Sequence, residues 1–190
     1  MHLVYAYFIQ CRLQQLNEQL HTSTSLQRAQ ATVFMGRIGH AEWLCNAVTA
    51  LVAPNLYEAG RQAIERVQLG QDMNRTHGNV ALWPSVFTGM QIIANRTTPP
   101  HRDRGGAPTH YDLLLSAGTH VKAELCLPEF GTKLSYAPGT IVELCGKVFI
   151  HEVDDWEGGE RVCVAHMMKD DVHDRLNVMR PSWPQKADYL

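Results

Sequence analysis

The chain has no CxxC pair, and its cysteines number five (Cys11, Cys45, Cys126, Cys145 and Cys163), an odd count that does not suit a disulfide scaffold. They lie mostly in apolar, strand-like runs and read as buried, reduced thiols of an intracellular protein. Excess charge is also lacking. A net charge of −2 over 190 residues counts mildly against a protein that holds nucleic acid chiefly through phosphates, so such a contact has to come from a local basic patch. Long hydrophobic runs are missing as well: Leu3 to Ile9 is too short to cross a bilayer and carries neither a basic leader nor a small-residue cleavage site, so no membrane or targeting segment is expected. Asn74, Arg75 and Thr76 spell a glycosylation acceptor, which the cysteine usage makes an accident. With no internal repeat and no low-complexity linker, residues 1–190 are expected to form a single domain.

What is present is ordinary globular material, 45% hydrophobic and 19% charged, enough to bury a core without disulfides. Apolar residues from about Val4 to Leu20 recur at helical spacing. Further helices are expected over Ala41 to Val52 and over Pro54 to Leu69, the latter stopped by Gly70. Residues 1–79 thus read as a mainly helical N-terminal cap. From about Val80 the period changes to two, with strands expected over Tyr111 to Ser116, His120 to Leu127, Thr140 to Leu144, Lys147 to Val153 and Arg161 to Met168. Turn residues separate them at Gly118, Pro128 to Gly131, Pro138-Gly139, Gly146 and Gly158-Gly159. Short strands at this spacing predict an α+β protein whose core, residues 80–176, is a jelly roll of two facing sheets. A short helix is expected over Lys169 to Leu176, followed by an irregular tail, 177–190.

The chemistry is concentrated in His101, Arg102 and Asp103, followed by His151 and then Arg161. Two imidazoles and one carboxylate can hold Fe(II) on one face and leave the opposite positions open. An isolated HxD is more simply a capped turn, but a distal histidine in a strand and an arginine ten residues further on are then two additional coincidences. Strand alternation puts His151 on a face with Phe149 and Val153, and Arg161 on a face with Cys163, Ala165 and Met167. A guanidinium in that company needs an anion. The far carboxylate of 2-oxoglutarate suits it, and the competing partners are Glu152, Asp154, Asp155, Glu157 and Glu160 on the preceding acidic loop. Arg96 is a candidate for the co-substrate's other carboxylate or for a substrate phosphate. Gly105 and Gly106 would let the backbone pass close to a ligand. His110, His120 and His166 are read as structural, and Trp83, Trp156, Tyr111 and Tyr136 are left unassigned.

The stretches Pro99 to His120 and Tyr136 to Leu176 resemble the TET/JBP family of 2-oxoglutarate- and Fe(II)-dependent dioxygenases, most of all its fungal, transposon-associated branch. The resemblance covers about residues 80–176 and is loose before that. It implies a double-stranded β-helix core, His101, Asp103 and His151 as catalytic iron ligands, and Arg161 as the 2-oxoglutarate anchor assisted by Arg96. It also implies O2 as co-substrate and, as the reaction, oxidation of the methyl group of 5-methylcytosine in DNA to 5-hydroxymethylcytosine and further, on a base flipped out of the duplex. A monomer working in the nucleus, or elsewhere inside the cell, is the matching expectation. Two positions depart from the family: Met167 stands where members often stack an aromatic residue on the base, and Gly106 stands where members place a base-reading carboxylate.

Met167, Gly106, Arg102 and Arg104 are therefore the candidate substrate contacts, the two arginines forming with Arg96 a basic patch suited to phosphates. Other readings stay open at this point: the same chemistry on N6-methyladenine, thymine, RNA or protein, or a catalytically silent binding module.

Overall fold

The computed structural model describes residues 3–10, 20–70, 78–183, 185 and 187. Among these residues ten strands and three α-helices are arranged in the order β1 (Leu3–Gln10), β2 (His21–Thr22), α1 (Ala29–Val52), α2 (Pro54–Gln68), β3 (Gly89–Ala94), β4 (Thr98–His101), β5 (Asp112–Gly118), β6 (Glu124–Leu127), β7 (Thr132–Ser135), β8 (Ile141–Leu144), β9 (His151–Val153), β10 (Arg161–Met167) and α3 (Asp170–Arg175). A six-stranded sheet, β2-β1-β3-β10-β5-β8, faces a four-stranded one, β4-β9-β6-β7. This is the expected mixed fold, a double-stranded β-helix core with helices from the N-terminal part of the chain.

Alternation along β10 and β5 sorts the core into two sides. Val164 of β10 and Met90 of β3 join Met35 of α1 and Ala63 and Val67 of α2 in one buried cluster, so the helices cover the outer face of the larger sheet. Cys163 of β10, Leu114 of β5, Leu125 of β6 and Val153 of β9 form another cluster with Tyr136, between the sheets. Each such leucine taken fully out of water contributes about 1.5–3 kcal/mol. Gly118, opposite Arg161 in the β5–β10 ladder, has φ +114°, and a Cβ there would overlap the Glu160 carbonyl.

Several elements differ from the sequence expectation. The helix expected from Val4 is a strand as far as Gln10, and residues 11–19 lie outside the described residues. Val, Ile, Tyr and Phe fill both alternate positions of LVYAYFIQ, which makes periodicity uninformative. Six rungs of pairing with β3 decide for the strand. Helix α1 starts at Ala29, twelve residues ahead of the expected Ala41, and carries Gly36 and Gly39 through its exposed first half. Burial of Ala31 and Met35 against the sheet outweighs the poor helix propensity of these glycines. Pro54 both ends α1, by forcing Ala53 out of the helical region (φ −142°, ψ 69°), and opens α2. Strand β4 contains Pro99 and Pro100 and escaped the sequence reading because proline is confined to edges; here it pairs only with β9. Finally, the strand expected from Lys147 begins only at His151, because Val148 and Phe149 donate to the Cys145 carbonyl in a turn.

Two buried histidines set an acid limit to stability. His110 and His173 lie with ring centroids 4.9 Å apart, and neither His173 nitrogen has a hydrogen-bond partner among the described residues. Burial first, and His110 second, lower His173 from 6.5 to about 3, and burial lowers His110 too. Both rings are neutral in the fold but take up protons in the unfolded chain as pH drops below 6.5. Stability is therefore complete above that pH and is lost progressively towards pH 3, at about 1.4 kcal/mol per pH unit for each proton. Urea unfolding at about pH 7 and about pH 5 is expected to show this loss, and His173→Leu to flatten it.

Candidate metal and co-substrate site

The β4–β9 ladder places His101 directly across from His151, after a register shift that follows Thr98. Their rings lie 4.2 Å apart between centroids. Asp103 follows β4 and is held by its own backbone, whose N–H donates to the Gly146 carbonyl at 2.9 Å. Its Oδ1 lies 3.5 Å from His101 Nε2 and its Oδ2 lies 3.5 Å from His151 Nε2. One ligand atom from each of the three residues falls within 4.8 Å of the others.

The tautomers suit a cation. His101 Nδ1 faces the carbonyls of Pro99 (2.9 Å) and His151 (3.1 Å), and His151 Nδ1 faces that of Phe149 (3.2 Å). A carbonyl only accepts, so each Nδ1 carries the hydrogen and each Nε2 turns a lone pair towards Asp103. Burial also lowers His151, favouring the neutral imidazole that a metal requires. Behind Asp103 sits Asp112, which burial and then the Asp103 charge hold well above the ordinary carboxylate range. The two carboxyl groups share a hydrogen bond, which braces Asp103 from the rear. Gly146 makes this pair possible, since a Cβ there would overlap both carboxylates.

Arg161, at the start of β10, is 1% exposed and lines the same cavity of about 240 Å³ as His101, Asp103 and His151. Its Nη1 donates to the Arg96 carbonyl at 2.9 Å, and its guanidinium carbon lies 5.5 Å from the Tyr136 ring centroid and 5.8 Å from that of Trp156. Its Nε has no hydrogen-bond partner, and no carboxylate pairs with it among the described residues. Of the acids that competed for it, Glu157 binds Lys122 at 2.7 Å and Asp155 accepts from the Trp156 N–H, while Glu152 lines the same cavity without pairing with it among the described residues. A buried, unmatched guanidinium between two aromatic faces, in a cavity that also holds a metal-binding triad, fits a small dicarboxylate. The residues present thus suit both an Fe(II) ion and 2-oxoglutarate.

Other positions singled out in the sequence separate here. Met167 and Gly106 line the cavity, and Arg104 stands exposed at its opening beside Lys147. Arg102 is bound to Glu129 at 2.6 Å and to the Val148 carbonyl at 2.8 Å, so its charge is already matched. The Arg96 side chain is exposed, and its contact with Arg161 is made by the backbone. His120 contacts the Tyr136 carbonyl and His166 contacts Glu42, both away from the triad. Gly146 and Asp112 were missed as site residues. Gly146 carried only a turn signal, and an apolar run such as Tyr111 to Leu115 gives no reason to single out its acid.

Three comparisons bear on this geometry. The Tet/JBP family profile, described as the oxygenase domain of the 2OGFeDO superfamily, matches residues 4–170. No curated protein matches the chain. Among solved structures, that of NgTET1 in complex with 5mC DNA superposes with a TM-score of 0.62 at 13% identity, over 97% of this chain and 66% of that one. The chain therefore spans just under two thirds of that protein's length, and a likeness at this identity shows the fold. A Cupin 2 conserved barrel domain protein from Salinispora arenicola CNS-205 is more remote (TM-score 0.36, 16% identity, 47% of this chain and 69% of that one). So is the polyketide cyclase RemF from Streptomyces resistomycificus (0.31, 15%, 53% and 63%).

Proposed function

Because the chain belongs to the Tet/JBP family of the 2OGFeDO superfamily, which uses Fe(II), 2-oxoglutarate and O2, we propose that it oxidises the methyl group of 5-methylcytosine in DNA to 5-hydroxymethylcytosine and beyond. His101, Asp103 and His151 hold the iron, and Arg161 takes the far carboxylate of 2-oxoglutarate. The observation that carries this reading is the buried Arg161 charge, unmatched by any acid among the described residues and open to the cavity of the triad. Bound Fe(II) supplies the oxidation, with 2-oxoglutarate and O2 as co-substrates.

The protein's own part is positional. The Pro99, His151 and Phe149 carbonyls orient the two imidazoles, and Asp112 with Gly146 fixes the Asp103 carboxylate. The Arg96 carbonyl and the Tyr136 and Trp156 rings aim Arg161. The apolar lining of Leu114, Leu125, Val153 and Cys163 keeps water from the reacting methyl.

DNA as the partner is supported by the fold shared with NgTET1, which was solved with 5mC DNA. Arg104 and Lys147 supply exposed positive charge at the opening, where a flipped nucleotide's phosphates would pass, and the exposed Arg96 guanidinium adds to it. Met167 at the base position covers a ring face with polarisable sulfur but selects less by geometry than an aromatic ring. Gly106 offers no side chain to read the base. Base choice is accordingly broader than a carboxylate and a stacking ring would give.

The test is mass spectrometry of nucleosides after incubation with Fe(II), 2-oxoglutarate and duplexes carrying 5-methylcytosine, N6-methyladenine or only thymine. Hydroxymethyl-, formyl- or carboxylcytosine from the first duplex is expected. Turnover of another base alone would move the substrate, and no succinate with any duplex would remove the DNA assignment.

A further inference from the structure

Between helix α1 and the six-stranded sheet, a second group of ligand-type side chains is closed off from solvent, joined to the cavity wall through His166 of β10. Glu42 and Cys45, about one turn apart on α1, and His166 on β10 bring a carboxylate oxygen, a sulfur and a ring nitrogen within 4.8 Å of one another. All three residues are 0% exposed. His166 Nδ1 faces the Leu113 carbonyl at 3.1 Å and so carries a hydrogen, while Nε2 lies 2.8 Å from Glu42 Oε1. Glu143 of β8 is tied to the same group through the Thr49 hydroxyl, which donates to its Oε1 at 2.7 Å.

Protons alone leave two buried oxygens of this group without a partner among the described residues. Glu42 Oε2 and Glu143 Oε2 are both shielded from water and without a hydrogen-bond partner among the described residues. No lysine or arginine pairs with either carboxylate there, and His166, even as imidazolium, offsets only one of them. Protonating Glu143, which burial favours, neutralises it but gives its Oε2 no partner. A buried oxygen without a partner is costly, and a cation bound by the orphaned oxygens removes the cost. Thiol and imidazole donors select the softer transition metals over magnesium or calcium, and a donor set wholly withdrawn from solvent is the mark of a structural site.

We propose that Glu42, Cys45 and His166, with Glu143 beside them, bind a divalent ion of the zinc class that fastens α1 to the six-stranded sheet, distinct from the His101, Asp103 and His151 site. Binding displaces the Cys45 proton, since burial and the neighbouring carboxylates hold that thiol up at about 12 without a metal.

The experiment uses the full chain and a variant carrying His101→Ala and Asp103→Ala, both dialysed against metal-free buffer. Metal is counted by plasma mass spectrometry, and cobalt(II) is added as a spectroscopic probe. One tightly held zinc per chain is expected in both proteins, with thiolate-to-cobalt charge-transfer absorption. Cys45→Ser is expected to lose that absorption and to weaken metal retention by at least about tenfold. Only trace metal in the iron-site variant, or cobalt bound without a thiolate band, would overturn the proposal and leave a proton-bridged Glu42–His166 pair. If Cys45→Ser does not fold, the metal count and cobalt spectrum of the iron-site variant decide alone.

Discussion

Arg161→Met is expected to weaken 2-oxoglutarate binding by about 30-fold or more while leaving the apo protein as stable as before, or more so. Both halves follow from one observation: the guanidinium is buried and lacks an acidic partner among the described residues. Were Arg161 one half of a structural ion pair, its removal would strand a buried carboxylate and cost about 3–5 kcal/mol of stability. With no such partner, the variant sheds a desolvated charge and keeps most of the side-chain volume against Tyr136 and Trp156. The co-substrate, by contrast, loses its fork. Truncating one side of a buried, hydrogen-bonded charge pair costs about 2–5 kcal/mol, which sets the expected fold-change. Thermal unfolding with and without 2-oxoglutarate reads both quantities: saturating ligand stabilises the parent protein by about 2.7 kcal/mol at a hundred times its dissociation constant, and the variant responds far less. Arg161→Lys should fall between the two, keeping the charge but not the bidentate geometry.

Gly146→Ala is the second large effect. The added Cβ falls on the carboxylates of Asp103 and Asp112, which are packed behind the triad with no slack. Asp103 has to move, and Fe(II) affinity, measured by titration under nitrogen, is expected to fall by at least the 10–100-fold typical of a lost outer-shell partner. Gly106→Ala is the control. Its Cβ would meet the Met168 carbonyl at 3.6 Å, an ordinary contact, so iron binding should be nearly unchanged although Gly106 lines the same cavity. Equal losses in both variants would mean that any side chain in the cavity wall disturbs the metal, and that the Asp103–Asp112–Gly146 packing has no special part.

The contrast between these two glycines also shows where sequence reading succeeds and stops. His151 and Arg161 were legible because an imidazole or a guanidinium is chemically unusual in an apolar strand and alternation sets each among apolar neighbours, whereas His101 and Asp103 were legible only through their HxD spacing to those two and the family resemblance. Gly146 and Asp112 act through contacts made only when the turn at Cys145 to Phe149 folds under Asp103, and a local pattern carries no trace of that contact. Arg102 is the converse case. Beside Arg104 it looks like part of a phosphate patch, yet Glu129, 27 positions away, already matches it. Of the fold, the helices after Ala41 and most strands after Tyr111 were readable from period and punctuation, but β7, with Thr132, Lys133 and Ser135 around a single leucine, gave no apolar alternation to read. Strand β1 was not readable either, since a run apolar from Leu3 to Ile9 fits either period and only its ladder with β3 decides.

In the proposed site His101, Asp103 and His151 share one iron while Arg161 waits behind it for a diacid. Crystals grown without oxygen in Fe(II) and 2-oxoglutarate, with anomalous data collected at the iron edge, test this most directly. One anomalous peak is predicted among His101 Nε2, His151 Nε2 and the Asp103 carboxylate, with the far carboxylate of 2-oxoglutarate on Arg161. Iron bound at other residues, or 2-oxoglutarate seated away from Arg161, would contradict it.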